Sequence, residues 1–143
     1  MKSIEAFDIT KTYNGRVVVD NLSFTVEQGE VFGLLGHNGA GKSTTIDCIL
    51  GLTRPDHGSA RILGQDAAKS RKTLFEHVGV QLQHEAHANN IRVSEVCEET
   101  AALYHDPADY HALLKQFQLE AYVNQKVEQL SGGERQKLSV VVA

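Results

Sequence analysis

Eight consecutive residues, 36–43, constrain the fold of this chain more than any other segment. They read Gly-His-Asn-Gly-Ala-Gly-Lys-Ser and fit the pattern G-x-x-x-x-G-K-[ST]. An apolar run at residues 31–35 precedes them, and a helix-like stretch at residues 43–50 follows. A glycine-rich turn between a strand and a helix directs successive backbone N–H groups into one concave nest. The segment therefore predicts a phosphate-binding loop, or P-loop, with a nucleoside triphosphate as its ligand.

The residue types in this loop suit a polyphosphate. Glycines permit backbone conformations and close approaches that a side chain would block. Lys42 is placed to reach the β- and γ-phosphates, and the Ser43 hydroxyl is placed to ligate Mg²⁺. The helix N-terminus adds a partial positive charge. The residues expected to contact the nucleotide are Gly36, His37, Asn38, Gly39, Ala40, Gly41, Lys42, Ser43 and Thr44, with His37 filling a tolerant position rather than acting as a base.

Composition is that of an ordinary globular protein. The 143 residues are 41% hydrophobic and 22% charged, and a net charge of −4 argues against a nucleic-acid surface driven by bulk charge. No apolar run is long enough to cross a bilayer, and no signal peptide is expected at the N-terminus. Cys48 and Cys97 lie far apart within predicted helices, which indicates reduced structural thiols rather than a disulfide or a metal site.

Hydrophobic patterning predicts one α/β unit with strands early in the chain. Strands are expected at residues 4–10, 16–19 and 22–26, with a hairpin turn at Asn14-Gly15. Further strands are expected at residues 31–35, 59–63 and 78–81.

Helices are predicted by apolar residues at spacings of three and four. In the helix at residues 43–50, Ile46, Ile49 and Leu50 would form the buried face, and Gly51 would end it. The other predicted helices cover residues 72–77, 93–104, 108–117 and 133–143, the last with Leu138, Val141 and Val142 buried.

A second glycine motif opens the last predicted helix. Ser131, with Glu134 three residues later, fits a capping box. Capping alone requires neither Gly132 nor Gly133, and this pair leaves N–H groups free to meet an anion. The motif therefore suits both a helix cap and a second phosphate-binding helix terminus.

The two motifs in this order resemble the ATP-binding cassette (ABC) family, and the resemblance covers the whole chain. The family signature is Leu-Ser-Gly-Gly-Gln, and Glu134 replaces its glutamine here. Tyr13 matches the aromatic residue that stacks on adenine in this family. Gln83 matches the glutamine that contacts Mg²⁺ and the attacking water, although Gln81 competes for this role.

The resemblance implies a fold class: an α/β, ABC-type P-loop nucleotide-binding domain, here incomplete. It implies an N-terminal antiparallel β-subdomain at residues 1–30 and 59–67, and a P-loop core at residues 31–58 and 68–83. A helical subdomain with the signature motif would occupy residues 84–143.

The resemblance also implies a function, that of the ATPase subunit of an exporter-type, multidrug-like ABC transporter. ATP and Mg²⁺ would be the cofactors, with Ser43 and Gln83 at the metal. The partners would be a transmembrane permease subunit and a second nucleotide-binding domain, at the cytoplasmic face of the cell membrane, with no nucleic acid and no direct membrane insertion. The residues expected to contact the nucleotide of the second domain are Ser131, Gly132, Gly133 and Glu134.

Members of this family continue beyond the signature helix with the Walker B aspartate, a catalytic glutamate and a switch histidine. We expect a chain that stops at Ala143 to bind ATP weakly and to hydrolyse it negligibly. The family's core sheet also takes strands beside residues 31–35 from that later segment. We therefore expect residues 31–35 to form an unpaired apolar edge that promotes self-association.

Two alternatives stay open. A soluble, ribosome-associated ABC ATPase would carry two cassettes and a basic linker, whereas for a DNA-acting one the spacing between the two motifs leaves no room for the long insertion that such proteins carry. A purely nucleotide-binding fragment is a further possibility. His84 and His87 invite a metal site, but they lack a plausible third ligand, so a surface facing the membrane partner suits them better.

Overall fold

The computed structural model describes residues 1–81, 88 and 90–143. These form two compact units, Met1–His77 and Val78–Ala143. The predictions for Gln83, His84 and His87 lie outside the described residues. Within the described part of the chain, no helix is both long enough and apolar enough to cross a membrane.

A three-stranded antiparallel sheet dominates the first unit. Its strands are β1 (Lys2–Tyr13), β2 (Arg16–Glu27) and β3 (His57–Ile62), in the order β2-β1-β3. The predicted hairpin turn is confirmed, because Asn14 and Gly15 both have positive φ, at 49° and 77°. Two-residue turns of this kind match the twist of the flanking strands.

The two strands predicted at residues 16–19 and 22–26 form the single strand β2. Asn21, with φ of 45°, lies where the register with β1 shifts, and Asp8 in β1 has φ of 48°. The Asp8 N–H donates a hydrogen bond to Ser23 Oγ at 2.8 Å. Bulges of this kind bend a β-ribbon without ending it. The hydrophobic pattern is interrupted at the bend, so it predicts two strands where the structure has one.

The helix after the P-loop is α1 (Lys42–Ile49), and it ends as predicted. Gly51 has φ of 69°, and its N–H donates to the Cys48 carbonyl at 3.2 Å. The Leu52 N–H donates to the Asp47 carbonyl at 2.8 Å. These two bonds form a Schellman motif around a glycine whose left-handed conformation disfavours other residues.

The predicted buried face of α1 is partly wrong. Ile49 and Leu50 are buried as expected, but Ile46 is 47% exposed. Thr45 and Cys48 are buried in its place. Thr45, Cys48 and Ile49 stand at i, i+3 and i+4, so the true buried stripe is rotated by one residue.

Residues 31–35 and 78–81 do not form the predicted strands. A strand needs a neighbour to accept and donate its ladder hydrogen bonds, and no described strand lies beside either segment. Val31 is 99% exposed and Leu35 is 92% exposed. Val31 and Leu35 are therefore uncovered, whereas the Phe32 ring stacks on Phe24 with ring centroids 4.7 Å apart. Self-association through this segment stays a prediction. The short helix predicted at residues 72–77 is α2 (Arg71–Leu74).

The second unit is helical, as predicted. It contains α3 (Val93–Ala101), α4 (Tyr110–Gln116) and α5 (Gly132–Val141), with single 3₁₀ turns at Glu120–Tyr122 and Val127–Gln129. The core of this unit consists of Val93, Val96, Cys97, Leu114, Leu119, Val127, Leu130, Leu138 and Val141. Val142 packs partly buried against it, so the predicted face of the last helix is confirmed.

Candidate functional site

The P-loop is built from tight turns that lead directly into α1. Gly39 and Gly41 have φ of 84° and 85°, and Gly41 is the N-cap of the helix. The Ala40 N–H donates to the His37 carbonyl at 3.1 Å, which closes the turn. The Thr45 N–H and hydroxyl both donate to the Gly41 carbonyl, at 2.8 Å and 2.9 Å. The buried Thr45 hydroxyl is thus satisfied and fixes the first turn.

The β1–β2 hairpin packs directly against this loop. A Cβ atom at Gly41 would lie 2.4 Å from the carbonyl oxygen of Val18 in β2, too close for any side chain. A Cβ atom at Gly36 would lie 3.0 Å from the Cβ of Ala40. Gly41 therefore combines a left-handed backbone with a close approach, and only glycine allows both.

The loop presents a set of free backbone donors. Residues 36–40 are exposed. Among the described residues, none accepts a hydrogen bond from the N–H groups of Gly39, Gly41, Lys42, Ser43 or Thr44. N–H groups at the start of a helix, aided by its dipole, form a ready binding site for an anion.

The Lys42 side chain bends back over the loop. Its Nζ donates to the carbonyl oxygens of Gly36 at 2.6 Å and His37 at 2.7 Å. The His37 ring lies against the loop backbone, with Nδ1 2.8 Å from the Asn38 carbonyl oxygen. Ser43 is exposed on the first turn of α1. A cation and a hydroxyl therefore stand beside the free N–H groups.

Tyr13 lies at the tip of the same hairpin. It pairs with Arg16, two residues before the Val18 that contacts Gly41. Tyr13 is 45% exposed, and the Lys11 Nζ lies 5.3 Å from the ring centroid. The structure thus puts an exposed aromatic residue on the hairpin whose second strand contacts the P-loop.

The signature segment forms the predicted capping box. Ser131 is the N-cap of α5, and its Oγ accepts a hydrogen bond from the Glu134 N–H at 3.3 Å. The Glu134 carboxylate accepts one from the Ser131 N–H at 2.7 Å. Gly132 and Gly133 are exposed, with open space where a Cβ atom would lie. Among the described residues, none accepts a hydrogen bond from the backbone N–H groups of these two glycines.

Glu134 carries a negative charge in this motif. The Ser131 backbone N–H, then the Ser131 side chain and then the Tyr122 hydroxyl hold the pKa of its carboxyl below the ordinary value of 4.5. The sequence does not indicate Tyr122, because this residue lies outside the motif and only the fold brings it to Glu134. The replacement of glutamine by glutamate thus adds a charge that local hydrogen bonds stabilise.

The other glutamine considered for the metal and water has a partner in the structure. Gln81 Nε2 donates to Ser139 Oγ in α5 at 2.6 Å. Two further residues of the site are not indicated by the sequence. Val18 contacts Gly41 of the P-loop and Lys11 contacts the Tyr13 ring, but no local motif signals either contact.

The match to a family model decides the relationship. Residues 19–143 match the model described as "ABC transporter". The chain belongs to the ABC transporter family. The Nod factor export ATP-binding protein I of Rhizobium etli is 36% identical over 152 residues, covering 100% of this chain and 47% of that protein. The protein of the same name from Burkholderia pseudomallei is 37% identical over 147 residues, covering 98% of this chain and 48% of that one.

Solved structures of the ABC transporter family agree with the fold. One described as the ATP binding subunit of an ABC transporter has a TM-score of 0.86 and 30% identity, covering 98% of this chain and 60% of that chain. A second, the ATP-binding cassette MJ1267, has a TM-score of 0.82 at 21% identity, which concerns the fold alone. The predicted class, an ABC-type P-loop nucleotide-binding fold with an N-terminal antiparallel sheet, is confirmed. The chain spans about half the length of the curated relatives that it matches.

Proposed function

We propose that this chain binds Mg-ATP at residues 36–44 as the nucleotide-binding part of an ABC transporter ATPase subunit. One observation carries the proposal. The loop is already folded into a nest whose N–H groups, from Gly39 to Thr44, have no acceptor among the described residues, apart from the Ala40 N–H that closes the turn. Free N–H groups at a helix start favour a phosphate strongly over a neutral ligand.

Lys42 would change partners when a nucleotide binds. Its ammonium now donates to two loop carbonyls, which are weaker partners than a phosphate oxygen because they carry only partial charge. The Ser43 hydroxyl is exposed on the adjacent turn and can ligate Mg²⁺. Bound Mg²⁺ would neutralise phosphate charge, and Gln83 is proposed as its further contact on the strength of the resemblance.

Tyr13 is proposed to stack on the base. The hairpin contact at Gly41 supports this role, because the strand that touches the loop through Val18 is paired with the strand that ends at Tyr13. A P-loop reads phosphates and not bases, so a preference for ATP over GTP would arise at this ring and its surroundings.

The rest of the proposed function concerns the whole protein. Ser131, Gly132, Gly133 and Glu134 would close on a nucleotide held by a second nucleotide-binding domain, and their exposed glycine N–H groups support this. Closure would drive a transmembrane permease subunit from the cytoplasmic face of the membrane. The names of the Nod factor export relatives support an exporter type.

Hydrolysis of ATP is proposed for the whole protein. We expect the 143-residue polypeptide, made by itself, to turn over ATP negligibly. Within this polypeptide, Ser43 and Gln83 are the residues that we assign to the metal and the attacking water. Phosphoryl transfer needs the metal and the water to be held firmly in place.

Titration calorimetry tests the binding step. Wild-type chain, Lys42→Ala and a matched control, Lys69→Ala, would be titrated with Mg-ATP and Mg-GTP. Lys69 is a surface lysine paired with Asp66 at 3.4 Å, its side chain 81% exposed. Loss of one phosphate-binding ammonium should weaken Mg-ATP binding by about tenfold or more, while the control binds normally. Equal affinity of Lys42→Ala and wild type would contradict the proposal.

The partner is tested separately with the full-length protein. Affinity purification from detergent-solubilised membranes should recover a transmembrane permease subunit. Recovery of ribosomes without a membrane protein would favour a soluble, non-transport ABC ATPase instead.

A further inference from the structure

We propose that Lys11, anchored by Asp56, is a positioning residue that holds the Tyr13 ring ready for a purine base. The inference rests on the proposed nucleotide binding and deepens it. It concerns how the ring that would stack on the base is held in place. It adds Lys11 and Asp56, which neither glycine motif contains.

Lys11 is held in place by polar contacts from a distant part of the chain. Its Nζ donates to the Arg54 carbonyl at 2.9 Å and to Asp56 Oδ1 at 3.0 Å. The other carboxylate oxygen, Asp56 Oδ2, accepts a hydrogen bond from the Thr12 N–H at 2.7 Å. The Lys11 side chain is only 15% exposed. A mostly buried lysine side chain with these partners has little freedom to move.

The same ammonium lies over the Tyr13 ring, 5.3 Å from its centroid. A cation at this distance is attracted to the face of an aromatic ring. Tyr13 is 45% exposed, so a large part of the ring stays open to a ligand. A ring held from one side before the ligand arrives loses less conformational freedom on binding.

The position of the ring relative to the phosphate nest follows from the hairpin register. Tyr13 pairs with Arg16, and Val18, two residues further on, touches Gly41 through its carbonyl oxygen. Strand spacings then place the Tyr13 and Gly41 backbones roughly 10 Å apart. That distance suits a nucleotide whose phosphates lie in the nest and whose base lies on the ring.

The Lys11 ammonium thus contacts the Tyr13 ring and the Asp56 carboxylate, which leaves it committed to these groups rather than to a phosphate. β1, which carries Lys11, and β3, which follows Asp56, both contact α1. The Lys11–Asp56 pair thus links β1 to the turn before β3 beside one aromatic side chain.

The test compares a ligand with a base and a ligand without one. Mg-ATP and Mg-tripolyphosphate would be titrated into wild type, Lys11→Met, Asp56→Asn and Tyr13→Ala, with Lys69→Met as the control. Lys11→Met should lower the ratio of ATP to tripolyphosphate affinity about two- to fivefold, the size expected of a lost cation–π contact. Lys11→Arg should restore the ratio, because its guanidinium can meet both the ring and the carboxylate.

Nuclear Overhauser effects between the Lys11 Hε and Tyr13 ring protons give a readout without nucleotide, and we expect them in the wild type. Their absence would overturn the inference, as would an unchanged affinity ratio in Lys11→Met or Tyr13→Ala. A purely structural role would lower both affinities by the same factor, which also overturns it. Failure of wild type to bind either ligand would instead overturn the proposed function, and this inference with it.

Discussion

The carbonyl oxygen of Val18 lies 2.4 Å from the position that a Cβ atom on Gly41 would occupy. Gly39, two residues earlier, has nearly the same φ, yet its Cβ position is open. The two glycines of the P-loop therefore have different reasons to be glycine. Gly39 serves a turn conformation alone, whereas Gly41 also allows the hairpin to pack against the loop.

Gly41→Ala should destabilise the first unit far more than Gly39→Ala. The left-handed backbone costs each alanine about 1 to 2 kcal/mol. Gly41→Ala adds a backbone clash, so its total loss should be roughly 2 to 5 kcal/mol. Urea denaturation of both variants measures the difference. Equal losses in the two variants would show that the Val18 contact is relieved by a small shift.

The stability of the second unit should fall in acid because of Glu134. Hydrogen bonds from Ser131 and Tyr122 lower the pKa of this carboxyl from 4.5. A group with a lowered folded-state pKa stabilises the fold above its ordinary pKa and loses this effect as the pH falls through its folded value. Thermal unfolding between about pH 3 and 6 should therefore be less pH-dependent in Glu134→Gln than in wild type.

The variant Tyr122→Phe tests how much the Tyr122 hydroxyl contributes to the lowered pKa of Glu134. It removes one hydrogen bond from the carboxylate but keeps the ring and the charge. The Glu134 pKa, followed by NMR, should rise part of the way to 4.5. A Glu134 resonance that titrates identically in both proteins would exclude the Tyr122 contact.

Neither cysteine should react readily in the folded chain. Burial raises the pKa of the Cys97 thiol to about 11 and raises that of Cys48, where Lys11 acts in the opposite direction. The thiolate is the reactive form, so both sites should modify slowly at neutral pH and fast in urea. Labelling with a disulfide reagent, resolved by mass spectrometry, would show it. Rapid modification of native Cys97 would contradict the buried position in α3.

Residues 31–35 should make the chain self-associate. Val31 and Leu35 are nearly fully exposed, and an uncovered apolar segment favours pairing with another chain. The double variant Val31→Lys and Leu35→Lys should shift sedimentation toward the monomer. Leu103→Lys is the control, because Leu103 is also exposed, at 78%, but lies elsewhere. Monomeric wild-type chain at high concentration would contradict this expectation.

Short-range features could be predicted from the sequence because their hydrogen bonds close within a few residues. The Asn14-Gly15 turn, the glycine end of α1 at Gly51 and the Ser131–Glu134 capping box are all of this kind. Each depends on a residue type that fits one backbone conformation or one reachable N–H group. The surrounding fold does not have to be known.

Features that depend on distant neighbours could not be predicted in the same way. The apolar pattern of residues 31–35 is that of a strand, but a strand also needs a partner that the pattern does not specify. Ile46 looked buried because its spacing to Ile49 and Leu50 is helical, yet the packing of α1 selects the face next to it. The Lys11–Asp56 ion pair joins residues far apart in the chain, and no local motif indicates it.

The contact between Val18 and Gly41 also has a consequence for the order of events during synthesis. The hairpin lies wholly N-terminal to the loop that it touches, so it leaves the ribosome first. Because a two-stranded hairpin is only marginally stable by itself, we expect its contact with residues 36–43 to consolidate the hairpin and the loop together as that loop emerges. A substitution that delays the hairpin would then slow the appearance of phosphate binding while leaving the final affinity unchanged.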